Sequence, residues 1–104
     1  MKIREIRAAG LRGATPAGGW TNEIRPEDCV HTLVAVLTDE GPYGIGSVFA
    51  GEDLVRAALR ELEPLYRGED PRSPERLAER LHQNTFWLGR GGTLTHAISG
   101  IDIA

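Results

Sequence analysis

The feature that most constrains this 104-residue chain is a change of hydrophobic period at Glu52. Before that point apolar residues alternate. Val30, Thr32, Val34, Val36 and Thr38 share one face, and Leu33, Ala35 and Leu37 make the other face largely apolar too. A strand apolar on both faces is expected in the middle of its sheet. After that point Leu54, Val55, Ala58, Leu59, Leu62 and Leu65 recur at the three-and-four spacing of one helical face, with Arg56, Arg60, Glu61 and Glu63 outside it. Strands first and helices afterwards predict an α+β fold: a three-stranded antiparallel sheet followed by a helical bundle packed on one sheet face.

The remaining elements follow from local signals. Residues 2–11 read as a first strand in which Ile3 and Ile6 are out of phase, so a bulge or a one-sided register is expected. Gly41 and Pro42 supply a turn over residues 39–44, and residues 45–49 return as a short third strand. Pro64 should end or kink the first helix near Glu63. Ser73, Pro74 and Glu75 combine a cap hydroxyl, a pre-set first-turn proline and an acid at the positive end of a second helix. Its apolar side is marked by Leu77, Leu81, Phe86 and Leu88, flanked by Ala78 and Thr85. Gly89-Arg-Gly-Gly92 breaks it, and Thr93 is placed to cap the last helix. There Leu94, Ala97, Ile98, Ile101 and Ala104 form one apolar face with no glycine, basic turn or proline after it. Such a face needs a neighbour. It predicts that residues 1–92 are a domain core and that residues 93–104 begin a helix leading into a further domain of a longer protein.

Composition narrows the function classes. Twelve basic and 15 acidic side chains leave a net charge of -3 with the signs mixed along the chain, which argues against a nucleic-acid footprint. The longest apolar run near the middle, residues 33–37, is far too short to span a membrane. Residues 1–20 lack the order of a signal peptide, and the single Cys29 fits a reducing compartment, so the cytoplasm is the expected location.

Few residues look chemical. The excursion over residues 12–28 is longer than a compact domain needs and sets Trp20 among small residues, the composition of a lid or binding loop or of a surface loop that packs its Trp. Gly44-Ile-Gly-Ser-Val-Phe-Ala-Gly51 is a glycine-rich strand-to-helix passage, but it matches neither the phosphate-binding nor the dinucleotide pattern. In the same way Gly89-Arg-Gly-Gly92 reads as an interhelical turn, with Arg90 able to reach a carboxylate partner. His31, His82 and His96 are not paired at ligand spacing, so they read as structural or surface residues. Glu52 and Asp53 read as favourable charges at a helix N-terminus. No catalytic set and no metal site is assigned to the chain.

Three segments, in order and spacing, resemble the amino-terminal capping domain of the enolase superfamily, in its mandelate racemase and muconate lactonizing enzyme branch. They are Val36-Leu-Thr-Asp-Glu-Gly-Pro-Tyr-Gly-Ile-Gly-Ser47, Leu62-Glu-Pro-Leu-Tyr-Arg-Gly-Glu-Asp-Pro71, and Trp87-Leu-Gly-Arg-Gly-Gly through Ala97-Ile-Ser-Gly-Ile-Asp-Ile-Ala104. The resemblance covers essentially the whole chain. It implies a cap that closes the mouth of a (β/α)8 barrel lying beyond residue 104. The barrel would supply carboxylates that hold Mg2+ and the lysine or histidine bases that remove a proton alpha to a carboxylate, with the metal stabilising the enediolate. It also implies two cavity-lining loops, one at residues 15–24 and one at Ser47-Val-Phe-Ala50. By position, Trp20, Val48 and Phe49 would shape the pocket and exclude water, while Thr15, Thr21 and Ser47 would contact a polar substrate. Many relatives carry Glu directly after the strand's last glycine, where this chain has Ser47.

Among members of that branch the segments look most like those acting on acid sugars. The implied activity is a Mg2+-dependent lyase that dehydrates an acid sugar to a 2-keto-3-deoxy acid. The alternatives are a racemase, epimerase or sugar-lactone cycloisomerase, or a non-enzymatic α+β interaction domain. The implied partners are the protein's own barrel, a small-molecule carboxylate and further copies of the chain, but neither nucleic acid nor membrane. The 104 residues alone are expected to be inactive.

Overall fold

In the computed structural model, which describes residues 1–12, 31–89 and 91–104, the strand with two apolar faces lies in the middle of the sheet. β2 (His31–Thr38) pairs antiparallel with β1 (Ile3–Leu11) on one side and with β3 (Tyr43–Val48) on the other. The pairing of β1 slips between Ile3 and Glu5. That bulge turns both Ile3 and Ile6 into the core, at 2% and 8% exposure, which a strict two-residue period could not do. β3 starts at Tyr43 rather than at residue 45 and stops at Val48, one residue before Phe49. The turn is correspondingly tight, and the Thr38 hydroxyl donates to the Pro42 carbonyl across it at 2.6 Å.

α1 (Glu52–Tyr66) runs through Pro64 instead of ending before it. The proline removes one helical bond, to the Arg60 carbonyl. The helix closes again beyond it, where the Arg67 N–H donates to the Glu63 carbonyl at 3.0 Å. Burial of Leu62 and Tyr66, on either side of the proline, holds this last turn against the core. α2 (Pro74–Gln83) starts at the expected proline, but the Ser73 hydroxyl makes no capping bond. It ends at Gln83: the Thr85 hydroxyl donates to the Leu81 carbonyl at 2.6 Å, the acceptor its own N–H would take in a continued helix, and that N–H turns to the His82 carbonyl at 3.4 Å. Phe86 and Leu88 therefore leave the helix, form a separate 3-10 turn with Trp87, and stand half exposed. Leu77 and Leu81 alone carry the apolar face of α2 into the core.

α3 (Gly92–Ile103) is capped at Gly91, with Thr93 inside its first turn. The neighbour that its apolar face needs is the chain's own sheet. Ala97, Ile98 and Ile101 are buried in the same core as Val34, Val36, Val48, Val55, Leu59 and Leu62, and Leu94 and Ala104 pack on its edge. α1 lies chiefly on β1, α3 on β3, and α2 against the other two helices. All three helices share one face of the sheet.

The approach of α3 to β3 explains the glycines of the third strand. A Cβ on Gly44 would overlap the Ala104 carbonyl oxygen, one on Gly46 the Gly100 carbonyl oxygen, and one on Gly100 a Val48 methyl. Gly44 and Gly46 are therefore the seat of a helix backbone, not a cradle for an anion. The contacts also fix direction: α3 runs antiparallel to β3, with its last residue over the start of that strand.

Candidate functional site

One end of the sheet gathers the chain's exits. Leu11 at the end of β1 pairs with His31 at the start of β2, and beside them β3 ends at Val48 and passes through Phe49-Ala50-Gly51 into α1. Leu11 and His31 stand on either side of residues 13–30 in the sequence, which lie outside the described residues. Thr15, Trp20, Thr21 and Cys29 lie among those residues, and Arg90 is a further single position outside the described residues.

The strand period sorts the second predicted loop. Ser47 is exposed on the face of the sheet opposite the helices. Val48 is turned the other way, 1% exposed, against Gly100 in the core, so its side chain lines no open surface. Phe49 is 53% exposed. Its ring meets the His31 imidazole edge-on, with centroids 4.8 Å apart and planes at 71°. The exposed Ser47 and Phe49 and the half-buried His31 thus share one face at the sheet end, a hydroxyl, an aromatic ring and an imidazole.

The backbone behind that group is held from two sides. The Thr32 hydroxyl, on the buried face of β2, donates to the Ala50 carbonyl at 2.8 Å. The Nδ1 of His96, on α3, lies 3.1 Å from the Phe49 carbonyl oxygen. A third tie crosses to β1. Arg56 on α1 donates through Nη2 to the Ala8 carbonyl and to the Glu52 carboxylate, both at 2.7 Å. The Arg56 side chain first, and then the Gly10 backbone N–H, hold the Glu52 carboxyl below its ordinary range. Glu52 is more than a favourable charge at a helix start: it closes a clamp between the end of β1 and the first turn of α1.

His31 was readable from the sequence as a neighbour of Phe49. The hairpin sets Val36 opposite Gly44 and Thr32 opposite Val48, so the next pair is His31 with Phe49. His96 carried no such signal, because its position depends on how α3 crosses the sheet. Among the described residues, no three His, Cys, Asp or Glu side chains come together as a metal cage. No described helix is long and apolar enough to cross a membrane. An apolar cleft of about 210 Å³ lies at the opposite sheet end between the hairpin, α2 and the end of α3. Its charged side chains are Asp102 and Arg72, and Arg72 is already engaged by Asp70.

No family model matches the chain. Solved structures do. A provisionally named dehydratase from Zymomonas mobilis is 31% identical, with a TM-score of 0.74, and the match covers 98% of this chain and 25% of that one. A mandelate racemase/muconate lactonizing enzyme from Polaromonas is 27% identical at TM-score 0.75, over 99% of this chain and 28% of that one. A provisionally named galactarate dehydratase from Agrobacterium radiobacter, an enolase-type protein solved with sodium and L-malate, shares the fold at TM-score 0.76 and 24% identity, over 99% of this chain and 23% of that one. The chain spans about a quarter of the length of each, the part that forms the amino-terminal cap.

Proposed function

We propose that this chain, an amino-terminal capping domain of the mandelate racemase/muconate lactonizing enzyme type in the enolase superfamily, closes the active site of a Mg2+-dependent lyase that dehydrates an acid sugar. The reaction removes the proton alpha to the substrate carboxylate and expels the β-hydroxyl as water. The resulting enol tautomerises to a 2-keto-3-deoxy acid. The Mg2+ ligands and the proton-transferring bases are proposed to lie in a barrel domain. The cap's contribution is shape and dryness at the substrate mouth.

The observation that carries this reading is the group at the sheet end. A strand-to-helix turn held by Thr32 and His96 presents Phe49 and Ser47 at the sheet end where Leu11 pairs with His31. Phe49 is proposed as an apolar wall that excludes water, and Ser47 as a polar contact. Thr15, Trp20 and Thr21 are proposed to complete the mouth. Val48 acts from the core by fixing the turn.

The test is turnover by the intact protein with saturating Mg2+ over a panel of acid sugars. A 2-keto-3-deoxy product supports the reading, and a product of unchanged composition replaces it with racemisation, epimerisation or cycloisomerisation. No 2-keto acid from any panel member would sink it. On the active substrate, Phe49→Ala should raise KM about tenfold, the loss expected for one apolar contact of roughly 1.5 kcal/mol. Because Phe49 is half exposed, the thermal midpoint should move by no more than a few degrees.

A further inference from the structure

The turn that carries Phe49 is held at three consecutive residues. The Val48 side chain is locked in the core against Gly100. The Ala50 carbonyl accepts from Thr32, and the Phe49 carbonyl between them faces Nδ1 of His96. A carbonyl oxygen can only accept, so that nitrogen must carry the hydrogen. The three ties differ in kind. Val48 and Thr32 are 1% and 0% exposed and cannot be altered without disturbing the core, whereas His96 reaches the turn from an exposed position on α3. A solvent-facing imidazole on a helix whose inner face is already filled by Ala97, Ile98 and Ile101 adds nothing to core packing. Its ring nitrogen faces the carbonyl of the residue whose ring stands at the sheet end.

We infer that His96 is a positioning residue: by donating to the Phe49 carbonyl it fixes the backbone from which the Phe49 ring is aimed against His31. Fixing that carbonyl removes the peptide rotation that would let the ring swing away from the imidazole. His96 thereby couples α3 to the substrate mouth without touching substrate. The functional half of this inference rests on the reading of this sheet end as that mouth; the structural half does not.

The experiment is hydrogen–deuterium exchange of the intact protein, comparing the parent with His96→Leu and His96→Asn and reading peptides that span residues 47–53. Leucine keeps bulk and removes the donor, while the asparagine amide can donate from near the position of Nδ1. His96→Leu should speed exchange in the turn roughly two- to tenfold, the range one net hydrogen bond supplies. Peptides from α1 and α2 should be unchanged, and His96→Asn should return the turn to within about twofold of the parent. The inference is overturned if the turn exchanges at the parent rate in His96→Leu, if His96→Asn is as fast as His96→Leu, or if the increase is equal across all helices. Kinetics of the same variants decide the other half. A higher KM with little change in kcat for His96→Leu, rescued in His96→Asn, upholds the mouth reading. A loosened turn with unchanged kinetics leaves His96 as the latch and refutes the mouth.

Discussion

Replacing Gly46 with alanine sets a methyl carbon where the backbone of α3 already stands. A Cβ at that position overlaps the Gly100 carbonyl oxygen and falls 3.0 Å from the Ala104 nitrogen and 3.1 Å from the Gly100 carbonyl carbon. All of these are backbone atoms, so no rotamer change can yield and α3 must move off β3 as a unit. Restoring ordinary separations of about 3.5–4.0 Å requires a shift on the order of 1 Å. That shift unseats Ile98 and Ile101, which are 2% and 4% exposed. Overpacking in a core usually costs 1–3 kcal/mol, and a clash with no flexible partner belongs at the upper end, about 3 kcal/mol. For a domain of this size that lowers the thermal midpoint by roughly 12–24 °C. The assay is urea and thermal unfolding followed by circular dichroism, with Gly91→Ala as the control. Gly91 has no heavy atom within 4 Å of its would-be Cβ and an extended φ of 172°, so its substitution should cost no more than about 1 kcal/mol through a poorer helix cap. A Gly46→Ala protein within about 0.5 kcal/mol of its parent would refute the seam as the reason for that glycine.

Two further outcomes follow from local structure. Pro64→Ala restores an N–H to α1 at a site where the backbone is already helical, so it should stabilise the protein by about 1 kcal/mol after the gain in unfolded-state entropy is subtracted; a lower urea midpoint would show that the proline fits its turn without loss. The Arg72 guanidinium first, and then its backbone N–H, hold the Asp70 carboxyl well below the usual carboxylate range, so the pair stabilises the fold above the unfolded-state pKa and loses that contribution as pH falls. Asp70→Asn should therefore have a lower urea midpoint than the parent at neutral pH, with the gap closing below about pH 4; a gap constant down to about pH 2 would rule out the ionised pair as its origin.

Which parts of this fold could be read in advance depends on where the determining atoms sit in the chain. The two apolar faces of β2 place it centrally because both neighbours are adjacent in sequence, and the phase slip between Ile3 and Ile6 announces the bulge that the register contains. Periodicity also extends the second helix through Phe86 and Leu88, and there it misleads. Thr85 takes the Leu81 carbonyl with its hydroxyl instead of its N–H, a competition between side chain and backbone that an apolar pattern does not record. A related ambiguity attends the apolar face of α3. Ile98 and Ile101 have the same spacing whether a further domain or the chain's own sheet covers them; the sheet does. The deciding residues are Gly44 and Gly46, whose only mark in the sequence is the lack of a side chain, which reads equally well as a ligand cradle or as room for a helix.

The candidate site divides along the same line. Hairpin register alone sets His31 beside Phe49, because each pair in the ladder fixes the next. His96 comes to the same residue from 47 positions away, by way of a helix whose crossing is set by the Gly46 and Gly100 contacts. The seam and the proposed latch are therefore one mechanical arrangement. The glycines that let α3 lie close to β3 also bring His96 within reach of the Phe49 carbonyl. A substitution that lifts the helix at Gly46 should loosen the turn at Phe49 even though neither His96 nor Phe49 has changed.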